Sequence, residues 1–211
     1  MLYNLIKVLF QKIQNRKKDF FLTYKYDLLQ EHYGNNCLDV GSGTGRFGKF
    51  LQDEGHKVQC TDIVNKMETN VPFKLFNGVE LPNASKSIDT LILFFVLHHT
   101  DDQEKLLRDC IRVTQGRIII GEDIIHNKLD KIMGKIHLGT SPWSKSENGF
   151  RTDEEWKKLF EKLGLKLIDE LEIPRNIYPV YPISRKIYIL EGNNEFYLAN
   201  DLYENRSSLS L

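Results

Sequence analysis

Cys37-Leu38-Asp39-Val40-Gly41-Ser42-Gly43-Thr44-Gly45 decides the reading of this chain. Four residues suited to a short buried strand run into three glycines at alternate positions. Glycine belongs where φ is positive or where a ligand must approach the backbone, so the stretch reads as a tight strand-to-helix turn. A dinucleotide fingerprint, G-x-G-x-x-G, would need a small residue where Arg46 stands. A pyrophosphate site is therefore disfavoured. Asp39, two residues before the first glycine, places a carboxylate at the strand end, where it suits a cationic ligand such as an ammonium or sulfonium.

Outward from the loop, strand-like and helix-like runs alternate. Phe47, Phe50 and Leu51 have helical spacing that stops at Gly55, a left-handed cap. Lys57 to Asp62 is a second strand, and Asp62 lies 62 − 41 = 21 residues beyond the first glycine. In nucleoside-binding α/β folds an acid at that distance accepts from the ribose hydroxyls; an N-cap for the segment starting at Ile63 is the other reading. Pro72 to Asn77 is a third strand, closing on the turn pair Asn77-Gly78. Ile88 to Leu97 is nearly unbroken in apolar residues, as in the centre of a parallel sheet covered on both faces. Thr100 to Gln103 reads as a capping box ahead of the stripe Leu106, Leu107, Cys110 and Ile111. Gly116 precedes a strand from Arg117 to Ile120. Thr152 to Glu155 is a second capping box, opening a helix with Trp156, Leu159, Phe160 and Leu163 on one face and closed by Gly164. Two late strands cover about Lys166 to Ile173 and Arg185 to Leu190. Such alternation gives an α/β fold with right-handed crossovers and ligands beyond the carboxyl ends of the strands.

Composition narrows the function. With 41% hydrophobic residues, the 211-residue chain can bury a core and reads as globular. Twenty-nine basic residues balance 29 acidic ones, whereas a nucleic-acid binder draws its affinity from a basic excess. The longest fully apolar run, Leu91 to Leu97, is far below the roughly 20 residues of a membrane span. Cys37, Cys60 and Cys110 are scattered and odd in number, which excludes a disulfide framework or zinc ribbon and indicates a reduced, cytoplasmic protein. Glu122, Asp123 and His126 follow the fifth strand without ligand spacing, so no metal is expected.

The organisation reads as an N-terminal helical cover over 1–33, a ligand-binding domain over 34–192 and a polar, Ser-rich tail over 193–211. Leu2, Leu5, Ile6, Leu9 and Ile13 form an amphipathic stripe, and Lys7, Lys12, Arg16, Lys17, Lys18 and Lys25 make the segment basic. It either closes the cavity or makes a peripheral contact with an anionic membrane. His126 to Phe150 is long for a connector and reads as a lid, a substrate wall or a plain surface insertion.

Asp39 to Gly45, Asp62, Leu81-Pro82, Ser87-Ile88-Asp89 and Val96-Leu97-His98-His99 resemble, in that order, the successive motifs of class I S-adenosylmethionine-dependent methyltransferases. The likeness is nearest to the small-molecule branch containing the ubiquinone/menaquinone and biotin-pathway enzymes. It runs from about Cys37 to Leu190, with Phe150-Arg151-Thr152, Glu155-Trp156 and Gly164-Leu165 adding to it. It implies a Rossmann-like, seven-stranded, mostly parallel sheet with helices on both faces and the last strand antiparallel. It also implies S-adenosylmethionine as cofactor: Gly41, with Asp39, Ser42, Gly43 and Gly45, at the methionyl part; Asp62, beside Ile63, on the ribose; and Asn77-Gly78 at the adenine, where an asparagine carbonyl replaces the family's usual acid. A sulfonium methyl is already activated, so the protein mainly has to align the reactants, and a base helps only where the acceptor must lose a proton. His98 and His99 are the catalytic candidates, and neighbours on a strand leave it in opposite directions, so at most one of them faces the cavity. The expected function is methyl transfer to a small-molecule or lipid-like acceptor. Two alternatives remain: a nucleoside-binding protein without catalysis, and a protein or nucleic-acid methyltransferase. Against the latter, Phe95-Val96-Leu97-His98 occupies the place of the Asn/Asp-Pro-Pro-Tyr tetrapeptide used on exocyclic base amines.

Overall fold

Seven strands form one sheet in the order β3-β2-β1-β4-β5-β7-β6. They are β1 Asn36–Val40, β2 Lys57–Asp62, β3 Phe73–Leu75, β4 Ile88–Phe94, β5 Thr114–Ile124, β6 Leu165–Ile173 and β7 Ser184–Gly192. The computed structural model describes residues 20–140, 149–173 and 183–192; the stripe from Leu2 to Ile13, Trp143 and the tail lie outside them. β1 to β5 pair in parallel, while β7 runs antiparallel to both β5 and β6. This is the expected sheet.

The helices are α1 over 20–29, α2 Arg46–Asp53, α3 Gln103–Val113, α4 Lys128–Thr140 and α5 Asp153–Lys162. Alternation along the central strands divides the core between two faces. Leu91 and Leu93 of β4, Ile118 and Ile120 of β5 and Leu190 of β7 pack with Leu106, Leu107, Trp156 and Phe160 of α3 and α5. Ile92, Ile119, Ile187 and Ile189 point the other way, toward Phe21 and Leu29 of α1 and Phe47 and Leu51 of α2. Burying each such side chain contributes about 1.5–3 kcal/mol, so both faces contribute substantially.

Four local expectations are corrected. β4 stops at Phe94 rather than Leu97, because Phe95 takes φ 61° and residues Leu97–His99 form a 3-10 turn. The cap of α3 is Asp102, accepting from the Lys105 N–H, so Thr100 does not cap it. β3 keeps only Phe73–Leu75, and β5 starts at Thr114, passing Gly116 through an irregularity opposite Ile88/Thr90. The capping box Thr152–Glu155 is reciprocal as read.

Lys25 overturns a further expectation. It is one of the cations that make the N-terminal segment basic, yet it is 6% exposed, with its ammonium 4.2 Å from the ring centres of both Phe47 and Phe94 and 4.9 Å from that of Phe21. Aromatic faces attract a cation, and the lysine stem is long enough to carry it into the core. Among the described residues, no helix is long and apolar enough to cross a membrane.

Candidate functional site

Strand order reverses between β1 and β4, and a cavity of about 520 Å³ opens there at the carboxyl ends of the strands. One wall comes from the glycine loop and the end of β2: Gly41, Gly43, Asp62, Ile63, Val64 and Lys66. Phe76, Asn77, Gly78 and Val79 form a second side, and Phe95, Val96, His99, Thr100, Asp101 and Asp102 a third.

The loop is held in place by β2. The Thr61 carbonyl accepts from the N–H groups of Gly41 (2.8 Å) and Ser42 (3.2 Å). Asp62 then places one carboxylate oxygen on the Gly43 N–H (2.8 Å) and the other on the Ile63 N–H (2.7 Å). Each oxygen keeps a lone pair for a ligand. Gly41 has φ 69° and lies so close to Val96 that a Cβ would come within 2.4 Å of its methyl. Gly43 has φ 55° and nothing within 4 Å of where a Cβ would stand. The first glycine is required by packing, the second by open space over the loop.

Three loop-region expectations fall elsewhere. Asp39 does not line the cavity: it is 4% exposed and faces Gly48 of α2. Burial pushes its pKa up to about 7 against the opposing pull of Lys25, whose own pKa burial lowers to about 8. Asp39 therefore sits with a lysine of the protein rather than with a ligand cation. Ser42 turns its hydroxyl toward the Met67 sulfur at 3.9 Å, and Gly45 is the residue before α2, packed under Met67 and Thr69. Asn77 lines the cavity, but its side-chain carbonyl already accepts from the Val79 (3.0 Å) and Glu80 (2.7 Å) N–H groups. The expected acceptor for an adenine amino group is thus engaged in its own turn.

The two histidines part company. His99 lines the cavity; His98 is 1% exposed and does not. His98 Nδ1 lies 2.5 Å from Oε2 of Glu122, whose Oε1 accepts from the Val96 (3.1 Å) and Leu97 (2.7 Å) N–H groups. Burial pushes His98 toward its neutral form, but the charge and hydrogen bond of Glu122, together with Asp123, hold its pKa above the ordinary value. Glu122 therefore clamps the turn that carries Phe95, Val96 and His99. Phe95 is strained, since φ 61° costs a side-chain-bearing residue about 1–3 kcal/mol, and the clamp helps to maintain it. His98 stacks on Phe150 (4.7 Å between ring centres) and meets His99 at 4.1 Å with the two rings tilted by 48°. Glu122 and Asp123, expected to follow the fifth strand, lie within β5, and Asp123 pairs with Arg185 at 3.0 Å. Among the described residues, no cluster of three or more metal-capable side chains occurs.

Sequence reasoning missed Phe95, Val96 and Asp101, hidden in an apolar run and in an apparent capping box. The signal for the first two was the length of that run, which exceeds what β4 needs.

The comparisons agree with this geometry. Residues 38–120 match the family model described as a methyltransferase domain. Methyltransferase GfsG of Streptomyces halstedii is 24% identical over 173 residues, 74% of this chain and 62% of that protein. Demethylmenaquinone methyltransferase of Tropheryma whipplei is 31% identical over 101 residues, 42% of each chain. The chain thus spans less than two thirds of the length of these curated relatives. The solved 1,6-didemethyltoxoflavin-N1-methyltransferase of Burkholderia thailandensis, with S-adenosylhomocysteine bound, superposes with a TM-score of 0.62 at 17% identity, covering 91% of this chain and 90% of that one. That likeness speaks to the fold. Strand order, the glycine loop tied to Asp62 and the matched region agree: residues 38–120 are similar to a methyltransferase domain, and the sheet has the fold of that solved methyltransferase.

Proposed function

We propose that the protein transfers the methyl group of S-adenosylmethionine to a small-molecule acceptor. The observation that carries this reading is the cavity at the strand-order reversal, where Asp62, Asp101 and Asp102 face a single lysine, Lys66. A ligand of net positive charge fits that lining, and the space above Gly43 admits close contact with its backbone. When bound, the cofactor supplies a methyl already activated on a sulfonium. Asp62 would accept from ribose hydroxyls, Gly41 and Gly43 would flank the methionyl part, and Phe76, Asn77 and Gly78 would border the base.

His99 is the histidine positioned to take a proton from an acceptor, because it alone of the pair reaches the cavity wall. His98 is a positioning residue, held by Glu122 behind it. α1 supports the cover reading of residues 1–33, since its described part buries Phe21, Lys25 and Leu29 against the sheet. Three buried free cysteines support a reducing, cytoplasmic setting. Small-molecule relatives support the acceptor class.

Calorimetric titration with S-adenosylmethionine and S-adenosylhomocysteine tests the reading. Asp62→Ala should weaken both on the order of 10- to 100-fold, as loss of charge-assisted hydrogen bonds of about 1.5–3 kcal/mol requires. Wild-type affinity no better than millimolar, or unchanged affinity in the folded variant, would overturn it.

A further inference from the structure

A second open cavity, of about 600 Å³, lies beyond β5 on the other side of the histidine pair. Lys128, Lys131 and Lys135 of α4 project into it at helical spacing, and Arg151 faces them from the start of the α5 segment. Glu155 is the acid on this lining, and its carboxylate accepts from the Thr152 N–H. Among the described residues, four basic side chains against one acid is a marked local excess in a chain whose formal net charge is zero. Arg151 is held in position, its Nε donating to Gln103 Oε1 at 2.7 Å and its guanidinium lying 5.5 Å from the Trp156 ring centre. Ile125 and Phe150 add apolar surface to the same lining.

This cavity adjoins the first through a row of three rings in contact. Phe150 lines the basic cavity and stacks on His98; His98 is in tilted ring contact with His99, which lines the acidic one.

Resting on the methyltransferase reading above, we propose that the basic cavity holds an anionic group, phosphate or carboxylate, carried by a soluble methyl acceptor. The apolar part of the acceptor lies against Ile125 and Phe150, and its reacting end extends past the row of rings toward the first cavity. Converging cations fix such a group in orientation as well as in place, because guanidinium and ammonium donors both match oxyanions. A neutral acceptor of the same shape would leave four desolvating cations uncompensated, so the lining selects for charge.

Inorganic phosphate is the probe, titrated against full-length protein with chloride at matched ionic strength. Saturable stabilisation is expected, a rise in Tm of about 2–4 °C at roughly ten times the dissociation constant. The response should disappear in Lys128→Ala/Lys131→Ala/Lys135→Ala and persist in the triple Lys→Arg variant. S-adenosylhomocysteine affinity, measured in parallel, should be unchanged in both, which separates this proposal from the cofactor reading. No phosphate effect beyond that of chloride overturns the proposal, as does a response retained by the alanine variant. Binding only to anionic phospholipid vesicles, with none to phosphate, would also overturn it, replacing a pocket for a soluble anion by a membrane surface.

Discussion

The two cavities differ in sign and in construction. The first sets Asp62, Asp101 and Asp102 against Lys66; the second sets Lys128, Lys131, Lys135 and Arg151 against Glu155. The acidic cavity is made from strand ends and the turns that leave them, so its groups are fixed by the sheet. The basic cavity is made from one face of α4 and the segment entering α5, elements that add to the sheet rather than form it. On the proposed reading, a fold shared by many enzymes is thereby divided into a part that meets a common cationic donor and a part free to suit a particular acceptor. Methyl transfer removes the donor's sulfonium charge, so an acidic wall also holds the donor more strongly than the spent product.

The largest expected effect breaks one half of the comparison and spares the other. Gly43→Val should lower cofactor affinity by about 100-fold or more, since a β-branched residue resists φ 55° and would fill the space above the loop. Among the described residues nothing stands within 4 Å of the new Cβ, so the fold should survive at a cost of about 1–3 kcal/mol. The phosphate response of the basic cavity should remain. Normal cofactor binding by the folded variant would show that this loop is no cradle.

A smaller effect concerns the rings between the cavities. With an acceptor in hand, His99→Ala should lower kcat by about 10²–10⁴, leaving cofactor affinity nearly unchanged. His98→Gln keeps a donor for Glu122 and should cost less. The reverse order, with His98→Gln the slower enzyme, would transfer the proton-accepting role to His98 and make His99 a wall residue.

The same contrast explains what the amino-acid order reveals. The first cavity was legible because backbone geometry restricts residue type: Gly41, Gly43 and Asp62 satisfy a turn and the strand end beside it, at a fixed separation. Side-chain direction was not legible. Asp39 and Asp62 both end strands, yet one is drawn under α2 and the other onto the loop, a choice made by Gly48 and Lys25 that spacing does not encode. His98 and His99 are equivalent in sequence until Glu122, 24 residues beyond His98, selects between them. The lysines of α4 have the spacing of any solvated helix face, and only the approach of Arg151 and Phe150 turns that face into a cavity wall.

The smallest predicted effect decides which acids belong to the acidic cavity. Lys25→Met keeps an unbranched apolar stem among Phe21, Phe47 and Phe94 and removes the cation that opposes the rise in the Asp39 pKa. In the wild type Asp39 titrates near pH 7 when folded, above its ordinary value, so its protonated form stabilises the fold at low pH and that stability is lost as pH rises toward 7. Without Lys25 the folded pKa rises further, and the loss continues above pH 7, where the wild type has levelled off. Lys25 is itself lowered to about 8, so above that pH the wild type gains relative stability as the folded lysine sheds its proton before the unfolded one does. Both contributions have the same sign: the gap in stability between wild type and variant should widen as pH increases from 7 to 9. A change of about 1 kcal/mol corresponds to a difference in Tm of about 2–4 °C for a chain of this size, within reach of melting curves taken across that range. Cofactor affinity at pH 7.5 should be nearly unaltered, because Asp39 lies outside the cavity lining. A marked gain in affinity, the freed carboxylate now serving the ligand's ammonium, would return Asp39 to the acidic cavity and make Lys25 its competitor.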